Sequence, residues 1–221
     1  MGSGVSQLLV SVDPGPPLRG GLDLWLDGDS WDGSTTWSDK SGAGNHATTS
    51  SSTYIAVESV SGNGSTKTFN ALWIKLVTGT YGSVTIPSYT YGSSYTLFHV
   101  CRYRGVSNNR ILQMTTANWL SGFWSNDKYN CFHQGWVTAV GGHGTDSDWV
   151  YGTDQLSLYR GDGTSYGTNT GTSTTDVLGV NNWASGEKSD CNVALVLRYN
   201  TALSASDYAL VEAWIADKYG L

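Results

Sequence analysis

The sequence predicts an all-β domain, a sandwich or a barrel, that closes with one C-terminal helix. Three observations carry this. Of the 221 residues 14% are charged and 12% aromatic, with 10 Trp and 13 Tyr, whereas a disordered chain is poor in rings and high in net charge. The chain holds 28 Gly, 28 Ser and 24 Thr, the vocabulary of strands and turns rather than the Ala, Glu, Lys, Leu and Arg of a helical bundle. Short apolar runs separated by Gly, Asn, Asp and Ser then recur from Leu22 to Tyr199, the pattern of a sandwich or barrel.

Residues 1–17 read as an N-terminal arm or linker, closed by Pro14-Gly15-Pro16-Pro17, because proline interrupts both helix and ladder. The domain proper is expected over 18–221. Leu22, Leu24 and Leu26 alternate with Asp23, Trp25 and Asp27, the period of a strand with one buried face. Residues 28–52, rich in Gly, Ser, Thr and Asn, read as turns. Further strands are expected over 71–77, 94–104, 110–115, 129–133, 149–151, 155–159, 176–180 and 191–199. After Ser204 the period changes, and Leu210, Val211, Trp214 and Ile215 form one stripe of an α-helix. Ser204 with Asp207 makes a capping-box-like start, Leu203 and Tyr208 the hydrophobic staple, and Lys218 and Gly220 the end.

The formal net charge is −6 and no segment gathers the basic residues. Binding a phosphate backbone needs such a patch, so no nucleic-acid partner is expected. No apolar run approaches the ~18 residues of a membrane span, and residues 1–12 lack the basic and apolar regions of a signal peptide. Gly2 and Ser6 fit a loose myristoylation pattern that a chance match or a cloning remnant explains equally well. Cys101, Cys131 and Cys191 are odd in number and show no CxxC spacing, which argues against a zinc knuckle, a redox motif and a disulfide framework. One structural pair with a leftover remains open, but Cys101 and Cys191 fall in apolar strand candidates, where free thiols act as small hydrophobes.

Two segments carry a resemblance. Leu22-Asp23-Leu24-Trp25-Leu26-Asp27, followed by Trp37-Ser38-Asp39-Lys40-Ser41-Gly42-Ala43-Gly44-Asn45-His46-Ala47, resembles the entry of concanavalin A-like (laminin G-like) jelly-roll domains. Tyr199-Asn200-Thr201-Ala202-Leu203-Ser204 through Trp214-Ile215-Ala216-Asp217-Lys218-Tyr219-Gly220-Leu221 resembles their final strand and terminal helix. Between them, Tyr95-Thr96-Leu97-Phe98 and Leu178-Gly179-Val180-Asn181 sit where such domains carry inner-sheet strands. The resemblance implies a two-sheet antiparallel jelly-roll sandwich with one C-terminal α-helix and loops along one rim. Domains of this group are mostly glycan-binding or adhesion modules, and some are enzymes. Gly122-Phe123-Trp124, His133-Gln134-Gly135-Trp136, His143-Gly144 and Ser189-Asp190 look most like the lectin-like proteins of large algal viruses.

Catalytic readings fare poorly against the residues. A retaining glucanase on this fold needs two Glu a few residues apart on one strand, about 5 Å across the scissile bond, and Glu58, Glu187 and Glu212 are far apart in sequence. Asp27/Asp29 and Asp146/Asp148 read first as turn aspartates. No G-x-S-x-G is present. His99, Arg102 and Tyr103, which a lyase could use, are explained as ordinary strand residues, His99 as a core histidine. Gly42-Ala43-Gly44-Asn45-His46-Ala47 has the form G-x-G-x-x-A but no strand before it and no helix after it, so it reads as a turn needing positive φ.

Asp27, Asp29 and Asp32 place three carboxylates in one short loop, a ligand set suited to Ca²⁺, with Asx turns as the plainer explanation. The expected cofactor is therefore none, or Ca²⁺ at those three residues. Asn63-Gly64-Ser65 is a glycosylation sequon, meaningful only in a secretory pathway.

The aromatic residues are the most informative for function. Trp119, Phe123, Trp124, Trp136, Trp149 and Trp183 recur amid Gly, Asn, His and Asp, as in sugar sites, where rings stack on C–H faces and polar groups fix the hydroxyls. Trp25, Trp73 and Trp214 read as core, and the loop tryptophans divide between binding and packing. The expectation is a non-catalytic carbohydrate-binding module displayed on a virion or cell surface. It would hold a glycan or polysaccharide by stacking on Trp124, Trp136 and Trp183, with polar contacts from His133, His143, Asn181, Asn182 and Asp190. Two rivals stand beside it: a structural capsid or fibre component that binds other protein chains, and a carbohydrate-active enzyme with an aspartate site.

Overall fold

The structure, a computed structural model, describes residues 14–49, 52–144, 147–182 and 186–221. Most of the expected arm, with the Gly2/Ser6 pattern, lies outside the described residues, as do Asp146 and Trp183. In chain order the strands are β1 (Leu22–Asp27), β2 (Thr36–Trp37), β3 (Ala47–Thr48), β4 (Ile55–Ser61), β5 (Thr68–Ile74), β6 (Leu76–Val77), β7 (Thr80–Tyr81) and β8 (Val84–Tyr91). They continue as β9 (Thr96–Tyr103), β10 (Leu112–Met114), β11 (Trp119–Trp124), β12 (Asp127–His133), β13 (Val150–Gln155) and β14 (Leu158–Gly161). The last are β15 (Thr164–Gly167), β16 (Thr174–Val180) and β17 (Cys191–Tyr199), followed by the helix α1 (Ala205–Tyr219).

Apart from β6 and β7, which pair only with each other, these strands form the expected antiparallel two-sheet sandwich with one C-terminal helix. The first sheet runs β15-β14-β13-β9-β17-β5-β4, and the second runs β12-β11-β10-β16-β8-β3-β2. β5 pairs with Cys191 to Val193 of β17 and β1 with Leu195 to Tyr199, so the two share one edge of that strand end to end. β9 and β17 are buried on both faces. Inward, Leu97, Cys101, Val193 and Val196 meet Leu112, Phe123 and Val180 of the second sheet. Outward, Phe98, Val100, Leu195 and Leu197 lie under Val211, Ile215 and Tyr219 of α1. Strands covered on both sides read as continuous apolar runs rather than alternations.

Helix α1 begins where the sequence places it, with the Ser204 hydroxyl accepting the Asp207 N–H at 3.3 Å, and it ends on Gly220 at φ 65°. Its buried stripe is turned from the expected one. Leu210 is 54% exposed and Trp214 only half-buried, whereas Glu212 is buried. The carboxylate turns inward because donors await it there: Arg160 Nε at 2.8 Å and the Thr153 hydroxyl at 2.7 Å.

Residues 28–52 are less irregular than expected, since they contain β2 and β3. Asp39 organises the turns between them by accepting the N–H groups of Trp25 (2.9 Å), Ser41 (2.9 Å) and Asn45 (3.0 Å), which folds this segment onto β1. Gly42 and Gly44 adopt the expected positive φ. All three cysteines are free and buried. The Asn63 side-chain amide donates to the Trp149 carbonyl and accepts the Trp149 N–H, both at 2.8 Å, so the sequon asparagine serves packing. Among the described residues no helix is long and apolar enough to cross a membrane.

Candidate functional site

Because α1 covers the outer face of the first sheet, the second sheet carries the open face. At its β12 edge a period-two alternation sorts the side chains. On β11, Trp119 and Phe123 point into the core, while Leu120 and Trp124 line a surface cleft. Phe132, opposite Leu120 on β12, points the same way. After β12 the chain turns back and bridges Trp136 to Phe132.

The rings of Trp124 and Trp136 are 5.2 Å apart at 56°, and those of Phe132 and Trp136 are 5.0 Å apart at 73°. All three are half-buried. Asn118 and Arg110 complete the lining, and Glu187 stands beside it, 2.7 Å from Arg110 Nε and accepting the Trp124 indole N–H at 3.3 Å. Burial lowers the Arg110 pKa and Glu187 opposes that shift. An apolar floor edged by fixed charged and amide groups offers a sugar its two usual contacts, stacking and hydrogen bonding.

Of the residues expected to form the site, the structure brings together Trp124 and Trp136. His133 is fully buried and stacks on Trp119 at 4.9 Å and 3°, because on β12 it points opposite to Phe132. Asn181 is also fully buried, exchanging 2.7 and 2.9 Å hydrogen bonds with the Ser189 backbone. Asn182 donates to Thr85 Oγ1 at 3.0 Å, and Asp190 accepts the Trp73 indole N–H at 2.6 Å. His143 sits apart, with its backbone N–H on Asp127 at 2.8 Å and its ring against Tyr129 and Tyr166. Trp119, Phe123 and Trp149 are core rings.

The residues that sequence reasoning missed are Phe132, Arg110, Asn118 and Glu187. Alternation along Asn130-Cys131-Phe132-His133 was the available signal for Phe132. Nothing local announces Glu187, which reaches Trp124 only through the tertiary fold.

Asp27, Asp29 and Asp32 do not gather. Asp27 is 2.9 Å from Lys218 Nζ, and Asp29 accepts the Asn70 amide at 2.7 Å. Asp32 accepts the N–H groups of Thr36 and Ser34, which lower its pKa. Asp27 thus pairs with α1, Asp29 with β5, and Asp32 with its own turn. The three glutamates are likewise separate, each beside its own arginine: Glu58 with Arg104, Glu187 with Arg110, and Glu212 with Arg160. Among the described residues, one group of three offers metal-ligating atoms within 4.8 Å of one another, namely Cys131, His133 and Asp154.

No protein-family model and no curated protein matches the chain. Solved structures do match. The binding domain of botulinum neurotoxin serotype D aligns with TM-score 0.60 and 9% identity, over 89% of this chain and 52% of that one. Domain 4 of AbnA, a GH43 extracellular arabinanase from Geobacillus stearothermophilus, in complex with arabinotriose, aligns with TM-score 0.58 and 12% identity, over 86% of this chain and 98% of that one. Trypanosoma rangeli sialidase in complex with the inhibitor DANA aligns with TM-score 0.55 and 14% identity, over 90% of this chain and 33% of that one. The chain thus spans about half of the toxin domain and a third of the sialidase. At these identities the likeness is one of fold.

Proposed function

We propose that the chain is a non-catalytic carbohydrate-binding module whose site is the Trp124–Phe132–Trp136 cleft. The observation that carries this reading is the Trp124–Trp136 pair, half-exposed and 5.2 Å apart, beside the Arg110–Glu187 ion pair. A sugar ring lies on the indoles through its C–H face, and its hydroxyls meet Arg110, Asn118 and Glu187. The neighbours lend support: one is a binding domain of a toxin, and another is an arabinanase domain in complex with arabinotriose. The cleft lining supplies no pair of carboxylates of the kind glycoside hydrolysis uses. Shallow single sites bind weakly, so display in many copies on a virion or cell surface is the setting this reading calls for.

The test is a glycan array probed with multivalent protein, wild type against the Trp124→Ala/Trp136→Ala variant. Selective binding lost in the variant, with an unchanged melting temperature, is expected. It should survive chelator, since Asp27, Asp29 and Asp32 do not converge. Binding retained by the variant would overturn the site, and no binding by wild type would overturn the function.

A further inference from the structure

We propose that Cys131, His133 and Asp154 form a buried zinc site that ties the two sheets together. Cys131 and His133 are two apart on β12 and both point inward, while Asp154 comes from β13 of the opposite sheet. All three are fully buried. Cys131 Sγ lies 3.1 Å from His133 Nε2 and 3.6 Å from Asp154 Oδ2, and the two carboxylate oxygens lie 3.2 and 3.3 Å from the same Nε2. With zinc–sulfur near 2.3 Å and zinc–nitrogen or –oxygen near 2.0–2.2 Å, tetrahedral coordination sets its donor atoms about 3.3–3.6 Å apart. The observed triangle matches this to a few tenths of an ångström.

Two alternatives fit less well. A nucleophilic triad places the carboxylate on one imidazole nitrogen and the thiol on the other, whereas here both approach Nε2, and burial leaves a substrate no access. A hydrogen-bonded trio, in which Nε2–H and the Cys131 thiol both donate to Asp154, leaves the 3.1 Å approach of Sγ to Nε2 without a proton between the two atoms. A cation at the common point satisfies all three.

Charge points the same way. Asp154 is a fully buried carboxylate whose ion-pair partner among the described residues is His133 rather than a lysine or arginine. Zn²⁺ with one thiolate, one carboxylate and one neutral imidazole is neutral overall, the condition a low-dielectric interior favours. On binding, the Sγ–H bond breaks, its proton leaves to solvent, and an Sγ–zinc bond forms. Asp154 is already oriented by the Tyr95 hydroxyl, which donates to Oδ1 at 2.8 Å, as outer-shell groups orient metal ligands elsewhere; the stacked Trp119 ring fixes the plane of His133, whose Nδ1 is buried with no hydrogen-bond partner among the described residues. In a chain whose cysteines are all free, such a site would act as the cross-link between sheets.

The site is sealed, so the full chain is unfolded, refolded with Zn²⁺ or Co²⁺, freed of excess metal, and assayed for bound metal and cobalt absorption. One equivalent of metal per chain is expected, with a thiolate-to-cobalt charge-transfer band. Cys131→Ser should lose both and Cys101→Ser, a buried thiol outside the cluster, should keep both. X-ray absorption on the zinc-loaded wild type reads the shell without any variant and should find one sulfur among nitrogen and oxygen donors. A refolded wild type that retains no metal, a shell without sulfur, or a folded Cys131→Ser protein with full metal content would each overturn the proposal.

Discussion

His99 makes a measurable claim about acid stability. It faces inward on β9, fully buried, and neither ring nitrogen is hydrogen-bonded among the described residues. Two glycines let the ring lie flush against backbone. A Cβ at Gly152, its ladder partner, would come 2.1 Å from Nε2, and one at Gly122 on the facing sheet 2.6 Å from Cε1. Desolvation lowers the His99 pKa from 6.5 to about 4, with Asp154 opposing. Between these values the unfolded chain binds a proton that the folded one refuses, so stability rises with pH across that window. The contribution is fully present above the unfolded pKa and is lost as pH falls toward 4. The gap corresponds to about 3 kcal/mol at ~1.36 kcal/mol per pH unit.

The perturbation is His99→Phe, a flat ring that cannot take a proton. Urea titrations followed by tryptophan fluorescence at pH 7 and pH 4 should show wild type losing about 3 kcal/mol more than the variant. Asp176 does not confuse the result. Burial raises its pKa, but the N–H groups of Ala117 and Thr116 outweigh that and bring it to about 2. Its contribution is present above the ordinary carboxylate value of 3.8 and fades below it, under the His99 window. Stability curves for wild type and variant that run parallel between pH 7 and pH 4 would refute the buried neutral imidazole.

Two further perturbations test the packing of the first sheet. Glu212→Ala strands Arg160 and Thr153 beneath α1 and should cost about 3 kcal/mol in a urea titration, with Glu212→Gln costing less because one acceptor remains. Gly152→Ala should cost ~1–3 kcal/mol through overpacking, and much less in a His99→Ala background, where the space above the new methyl is free; an equal cost in both backgrounds would show that the ring does not set the requirement for glycine.

Legibility in the sequence followed burial only in part: β4, β8 and β11 were not among the expected strands, and β11 is buried from Trp119 to Phe123 although its Trp, Gly and Ser read as a ring-bearing loop. Helix α1 was readable because its cap residues act locally, and β9 and β17 because both of their faces are apolar. The helix stripe was misread by one residue because a stripe drawn from apolar residues alone leaves out Glu212, which turns inward only because Arg160 and Thr153, distant in sequence, meet it there. β15 was missed because it is exposed and carries no apolar run, although Asp162-Gly163 announces its hairpin: both residues have positive φ and Gly161 pairs with Thr164, the two-residue turn such a dipeptide favours. In the cleft, Trp124 and Trp136 stood out as rings in polar loops. His133 was placed beside them by nearness in sequence, where a strand sends neighbours to opposite faces.

That alternation also explains why the cleft can be rigid at an edge. β12 has a sheet neighbour, β11, on one side only, and an edge strand held by one ladder is a poor platform for a binding ring. Its inward side chains compensate, because Cys131 and His133 reach across the sandwich to Asp154, whose strand β13 pairs with the central β9. Phe132 lies between these two anchors and points outward to Trp136. The polar cluster and the aromatic floor are thus the two faces of one strand, and the interior contacts fix where the exterior ring stands.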